Sequence, residues 1–226
     1  MLSDDYLVRK IMQFASVIAR IFGLKMGGQY QAALEVIDQS LGQLLGISGE
    51  LANLLDDESL FGILVKNDVM DYEQLGFIAD LFKEKGDILK LQKQNMESNH
   101  CYLRSLSYYV MMGNEALPQK ELSPKIEELM VNLADWSIPE ITLNNLFCYY
   151  ENEGEYAKAE KILKRLADCS VVALDIRKET TTFYQRLLLK SPSELAAGGM
   201  EKNRIQLKLH RLLTAAAQSG ATDGPG

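Results

Sequence analysis

The sequence predicts an all-α protein of antiparallel helix pairs, partly closed into a helical bundle. Three observations carry that expectation. Apolar residues recur at helical spacing through most of the chain. Only 5 prolines fall in 226 residues, and long stretches hold neither proline nor glycine, which disfavours a many-turned β fold. Ser, Asp and Pro stand where helices would start, and Gly where they would stop.

Helix one is expected over 4–24. Leu7, Ile11, Phe14, Ile18 and Ile21 form one stripe, and Arg9, Gln13, Ser16 and Arg20 form a polar one. Gly27-Gly28 breaks it, and Tyr30, Ala33, Leu34, Ile37 and Leu41 carry a second helix over 30–45. The stretch 46–71 reads as a compact linker with two short helices, ELANLL and ESLFGILV, capped by Ser48 and Asp57. Asp71 and Gln74 resemble a capping box for a helix through Leu75, Ile78, Leu81, Phe82, Ile88 and Leu91. Gly76 and Gly86 weaken that helix without breaking it. After a polar turn or continuation at 95–99, Cys101, Leu103, Leu106, Tyr109 and Val110 mark its partner.

A loop is expected over 113–120, with Ser123-Pro124 starting the next helix through Ile126, Leu129, Met130 and Leu133. Ser137 and Glu140 read as a capping box around Pro139. The following helix carries Leu143, Leu146, Phe147 and Tyr150, turns at Gly154, and continues with Tyr156, Ala159, Leu163 and Leu166. Two antiparallel stripes can bury each other there. A helix over 171–190 follows, then a capped turn at Ser191-Pro192-Ser193-Glu194, then a last helix over 201–217. The expected domain is single over 1–217, with sub-units 1–70, 71–135 and 136–217, and 218–226 as a flexible tail.

Gly28, Tyr30 and Ala33 repeat the spacing of Gly154, Tyr156 and Ala159. That echo resembles a tetratricopeptide repeat. The middle pair lacks both the Gly and the Ala, so it reads as a degenerate unit. The whole chain is also similar to an uncharacterised family of bacterial helical proteins labelled only as a domain of unknown function. DYLVRKIMQFASVIARIFGL with GGQYQAALEVID, DWSIP, GEYAKAEKILKRL and ELAAGGM carry that resemblance. It implies a helical fold and a bacterial cytoplasmic setting, and offers no catalytic residues.

Hydrophobic residues make up 47% of the chain, enough for a packed core. The net charge of −7 and pI near 5.0 argue against general nucleic-acid binding. The N-terminal MLSDDYLVRK is acidic before it is apolar, the reverse of a secretory signal, and no apolar run is long enough to span a bilayer. No membrane contact is expected, and the location read is cytoplasmic. Cys101, Cys148 and Cys169 are odd in number and without a C-x-x-C pair, so reduced, mostly buried thiols are expected. Neither His100 nor His210 has a metal-ligand partner at helical spacing, and no phosphate loop or nucleophile elbow is present. No cofactor, no metal and no enzymatic activity are therefore expected.

The functional reading is a protein-interaction or scaffold module with a protein or peptide partner. Repeat-like mapping places Asn144, Cys148 and Asn152 on a concave surface, and Lys178, Thr182 and Arg186 share a neighbouring helix face. Asn, Lys and Arg there suit a peptide backbone or carboxylate. The equivalent first-unit residues, Ala15, Ile18 and Phe22, are apolar, and the expectation is that other helices cover them. Alternatives are a small-ligand sensor and a self-associating protein, a homodimer in which Met12 and Val17 widen the apolar face of helix one. Arg204, Lys208 and Arg211 form a basic strip. It reads as a soluble surface, or as a contact for an acidic partner or for the chain's own Asp56-Asp57-Glu58.

Overall fold

The computed structural model describes residues 2–66, 68–115, 119–169 and 173–220. The chain divides into two compact units, Met1–Ser137 and Ile138–Gly226, so the boundary falls inside DWSIP. Both are helical. The first holds α1 (Leu2–Met26), α2 (Tyr30–Leu45), α3 (Gly49–Leu54), α4 (Asp57–Leu64), α5 (Tyr72–Leu91), α6 (Asn95–Glu115) and α7 (Gln119–Asn132). A two-residue antiparallel hairpin, β1 (Val65–Lys66) with β2 (Val69–Met70), follows α4. The second holds α8 (Glu140–Asn152), α9 (Tyr156–Cys169), α10 (Ala173–Leu188), α11 (Pro192–Ala197) and α12 (Lys202–Gly220).

One turn recurs between helices. Gly28, Gly154 and Gly199 adopt left-handed backbone, with φ of 70°, 74° and 74°. In each case the next residue's N–H reaches back over the last turn: Gln29 to Leu24, Glu155 to Tyr150, Met200 to Leu195. The α5–α6 turn does the same with a lysine. Lys93 has φ 64°, and the Gln94 N–H donates to the Leu89 carbonyl at 2.9 Å. Five residues beyond Gly28, Lys93 and Gly154 stands a small buried side chain: Ala33, Ser98 and Ala159. The middle pair therefore has the device that its residue types concealed.

That middle pair, α5 with α6, is the most extensive helix contact of the first unit. Its glycines permit close approach. A Cβ on Gly86 would lie 2.6 Å from the Tyr102 ring, and one on Gly76 would lie 3.0 Å from the Met112 methyl. Ser98 Oγ donates to the Gly86 carbonyl at 2.8 Å, and Ser105 Oγ to the Ala79 carbonyl at 2.9 Å. Early α5 meets late α6, so the pair is antiparallel.

Several local expectations are corrected. Asp56, and not Asp57, caps α4, accepting from the Ser59 N–H at 2.7 Å. Asp57 instead accepts from Arg104 Nε at 3.0 Å and Tyr108 Oη at 2.6 Å. Residues 113–115 are helical in α6, not loop, and of the two readings of 95–99 the helical one holds, as the first turn of α6. α7 starts a turn before Ser123, so Pro124 lies inside it. α8 starts at Glu140 behind Pro139, too late for Ser137 to cap it. Val65 leaves the α4 pattern for β1. Of the thiols only Cys101 is buried, and burial pushes it up to about 11. The helix at the C-terminus runs to Gly220, and 221–226 lie outside the described residues.

The largest correction concerns α1. Phe14 stacks on Phe77 of α5 with ring centroids 4.0 Å apart, Ile21 is fully buried, and Lys25 pairs with Glu84 and Asp87 of α5. Those contacts anchor one side of the helix only. Ala15 and Phe22 are exposed and Ile18 is half-buried, where cover was expected.

Candidate functional site

The second unit is organised around the GEYAKAEKILKRL and ELAAGGM stretches, which dock on each other. The Ala157 N–H donates to the Gly198 carbonyl at 2.9 Å. A Cβ on Gly198 would lie 2.3 Å from both the Gly154 carbonyl oxygen and the Tyr156 ring, so only glycine permits this approach. α11, capped by Ser191 and Glu194 in a reciprocal box, delivers that glycine and turns the chain into α12.

α9, α10 and α12 then meet at one carboxylate. Glu160 of α9 is buried and accepts hydrogen bonds from Tyr184 Oη of α10 and Lys208 Nζ of α12. Each helix contributes one member. Burial pushes the Glu160 carboxyl up, but the Lys208 and Tyr184 hydrogen bonds and the Lys208 charge outweigh it and hold the group below its ordinary range. Burial first, then the hydrogen bond to Glu160 and its charge, raise the Tyr184 phenol well above its usual value.

This trio forms the polar side of a cavity of about 570 Å³. Leu163, Ala167, Ile176 and Leu212 supply apolar walls. Lys164, Arg177 and Arg211 stand exposed around the mouth. Lys164 lies 3.6 Å from Glu160. The side chains of Arg177 and Arg211, from α10 and α12, have no ion-pair partner among the described residues. The arrangement is an apolar cleft with a cationic rim on a chain of net charge −7. It suits an apolar group that carries negative charge beside it.

The six residues expected to bind lie elsewhere, on α8 and the other face of α10. Asn144 is half-buried, while Cys148, Asn152, Lys178 and Thr182 are exposed. Thr182 Oγ donates to the Lys178 carbonyl at 3.0 Å. Arg186 is held by Glu151 in a two-pronged pair, Nε to Oε1 at 2.8 Å and Nη2 to Oε2 at 2.7 Å, and by Glu179 at 2.9 Å. A Phe147–Phe183 edge contact sets α8 beside α10. Although the residue is exposed, partial enclosure of the Cys148 thiol and then the charges of Glu151 and Glu179 raise it, so it carries little thiolate. Arg186 is thus already neutralised by its own chain.

The basic strip divides. Lys208 is paired with Glu160, Arg211 rims the cavity, and Arg204 is exposed. Lys208 pairs with Glu160 inside the second unit, and Asp57 pairs with Arg104 inside the first. His100 is exposed, its ring edge-on to Trp136 with centroids 6.1 Å apart, and His210 is exposed. Among the described residues no His, Cys, Asp and Glu group could hold a metal ion, and no helix is long and apolar enough to cross a membrane.

A family described as a family of unknown function (DUF6483) matches residues 1–216. The chain belongs to that family. The DUF6483 match takes in α1 and most of α12, so it includes the residues of the cavity. No curated protein and no solved structure matches the chain.

Proposed function

We propose that this DUF6483 protein is a non-enzymatic, cytoplasmic binding module whose second unit seats an acidic segment of a protein partner. The carrying observation is the α9–α10–α12 cavity, with apolar walls and with Arg177 and Arg211 unpaired at its mouth among the described residues. An apolar side chain of the partner enters, and flanking Asp or Glu residues meet the two guanidiniums. The non-enzymatic reading is supported by Glu160, whose charge is spent on Lys208 and Tyr184 and which is kept below the range of a useful general base.

The test is selection from a displayed random-peptide library on the purified full chain. Recovered peptides should share an apolar residue flanked by Asp or Glu, and should lose at least ten-fold in affinity for an Arg177→Glu, Arg211→Glu variant, about 1.4 kcal/mol. Selection without an acidic bias, or binding indifferent to both arginines, would sink the reading. The cavity volume also lies in the range of small-molecule sites. A stoichiometric small molecule retained in native mass spectrometry would favour a sensor instead.

A further inference from the structure

α1 carries three faces. Phe14, Val17, Ile21 and Lys25 are the side turned towards α2 and α5. Arg9, Gln13, Ser16 and Arg20 are a polar strip exposed to solvent. Between them, on a 100° per residue wheel, lies a third face of Ile11, Met12, Ala15, Ile18, Ala19, Phe22 and Met26. It is apolar and uncharged, yet most of it is exposed among the described residues. Ile11 is 49% exposed, Met12 68%, Phe22 56% and Met26 72%. A helix needs only one apolar face to dock on its own core, so this second one is unexplained by the fold.

We infer that this face is a dimer seam, filled by the same face of a second copy running antiparallel. The side-chain sizes show why. The seam residues Ile11, Ala15, Ile18, Phe22 and Met26 step by four, three, four and four, the spacing of a helix–helix seam. A two-fold axis between residues 18 and 19 sets Ala15 opposite Phe22, Ile18 opposite Ala19, and Ile11 opposite Met26. Two of those three pairings place a large side chain over a small one, as interdigitated packing requires.

Charge favours the same direction. A parallel pair would bring each Arg9 and each Arg20 level with its own copy. The antiparallel pair brings Arg20 level with Val17 and Arg9 level with Gly28. No carboxylate lies on the seam to call for a basic partner. From Ile11 to Met26 the strip is about 23 Å long and roughly 10 Å wide. A single helix seam of that length is a small contact beside the ~800 Å² of accessible surface that each partner of a stable complex buries. The dimer is therefore weak and concentration-dependent.

Sedimentation equilibrium of the full chain, from low micromolar to millimolar concentration, tests this. The mass should climb from 25.4 kDa towards twice that value, and Phe22→Glu should hold it at one chain with an unchanged helical spectrum. Register is read by oxidative cross-linking in a Cys148→Ser, Cys169→Ser background, which removes the exposed thiols. Ala19→Cys should cross-link, Ile11→Cys alone should not, and Ile11→Cys with Met26→Cys should. These cysteine variants keep the test alive if Phe22→Glu fails to fold. A wild type that stays monomeric throughout overturns the proposal, as does cross-linking by Ile11→Cys alone. So does a monomer that binds anionic vesicles through this face.

Discussion

Glu160 is a carboxylate taken out of water and given two donors. Removing Lys208 leaves the charge with Tyr184 and with Lys164 at 3.6 Å. Lys208→Met should cost about 1–3 kcal/mol in a urea titration, because a buried acceptor loses its strongest donor. The pH dependence has a definite sign. Glu160 titrates lower in the folded chain than in the unfolded one, so its contribution is fully present above the unfolded carboxylate range. It is lost as pH falls through the depressed folded value. The stability gap between wild type and Glu160→Gln should therefore be open at neutral pH and close on acidification. A gap that is constant with pH would mean that the carboxylate gains nothing from its charge. In the sequence Glu160 sits one residue past Ala159, on the margin of the apolar stripe, where a charge reads as a solvated face. Its lysine is 48 positions away, and no local pattern links them.

At the scale of helices and turns, backbone conformation was more telling than residue type. Gly28 and Gly154 announce left-handed turns because glycine is the residue that adopts them without strain. Lys93 adopts the same conformation at a cost, and so hid the third turn. Lys93→Gly should stabilise the first unit by up to about 1 kcal/mol, and Gly154→Ala should destabilise the second by a similar amount. Thermal melts of the two variants moving the same way would contradict the shared turn. Close crossings make a matching pair of predictions. Gly86→Ala drives a Cβ into the Tyr102 ring, and Ala159→Leu adds bulk at a fully buried position. Each should cost roughly 1–3 kcal/mol by overpacking. An unchanged denaturation midpoint for either would show that the site is not tight. Helix starts were legible where a side chain caps directly, as at Ser48, Asp71 and Ser191. They were misplaced by up to a turn at Asp57, Pro124 and Ser137, where neighbouring residues offer equally good caps or tolerate an earlier start.

For the whole molecule, the sequence pattern carried the helical class and the helix pairs, since both rest on contacts within about forty residues. It did not carry the cavity, whose Leu163, Ile176 and Leu212 come from three helices and whose arginines look like ordinary surface charge. Nor did it carry the bare third face of α1, because an apolar stripe says that something should cover it and not that anything does. Each unit has its own buried core, so damage in one should stay there. Hydrogen exchange on Glu160→Gln should rise at amides of the Ile138–Gly226 unit and leave the Met1–Ser137 unit at wild-type protection. Equal loss in both would mean that the chain unfolds as a single cooperative body.

The Glu160–Lys208 bond also sets an order of events in time. Ser98 meets Gly86 across 12 residues and a tight turn, so that closure costs little chain entropy and can come early. Glu160 must wait for a partner 48 residues on, delivered only after α10 and α11 have formed. In a refolding experiment, substitutions at Ser98 should slow folding, whereas those at Lys208 should leave the folding rate alone and quicken unfolding. On that expectation the last helix closes a unit already assembled, and Lys208 variants should shorten the survival of the second unit in denaturant.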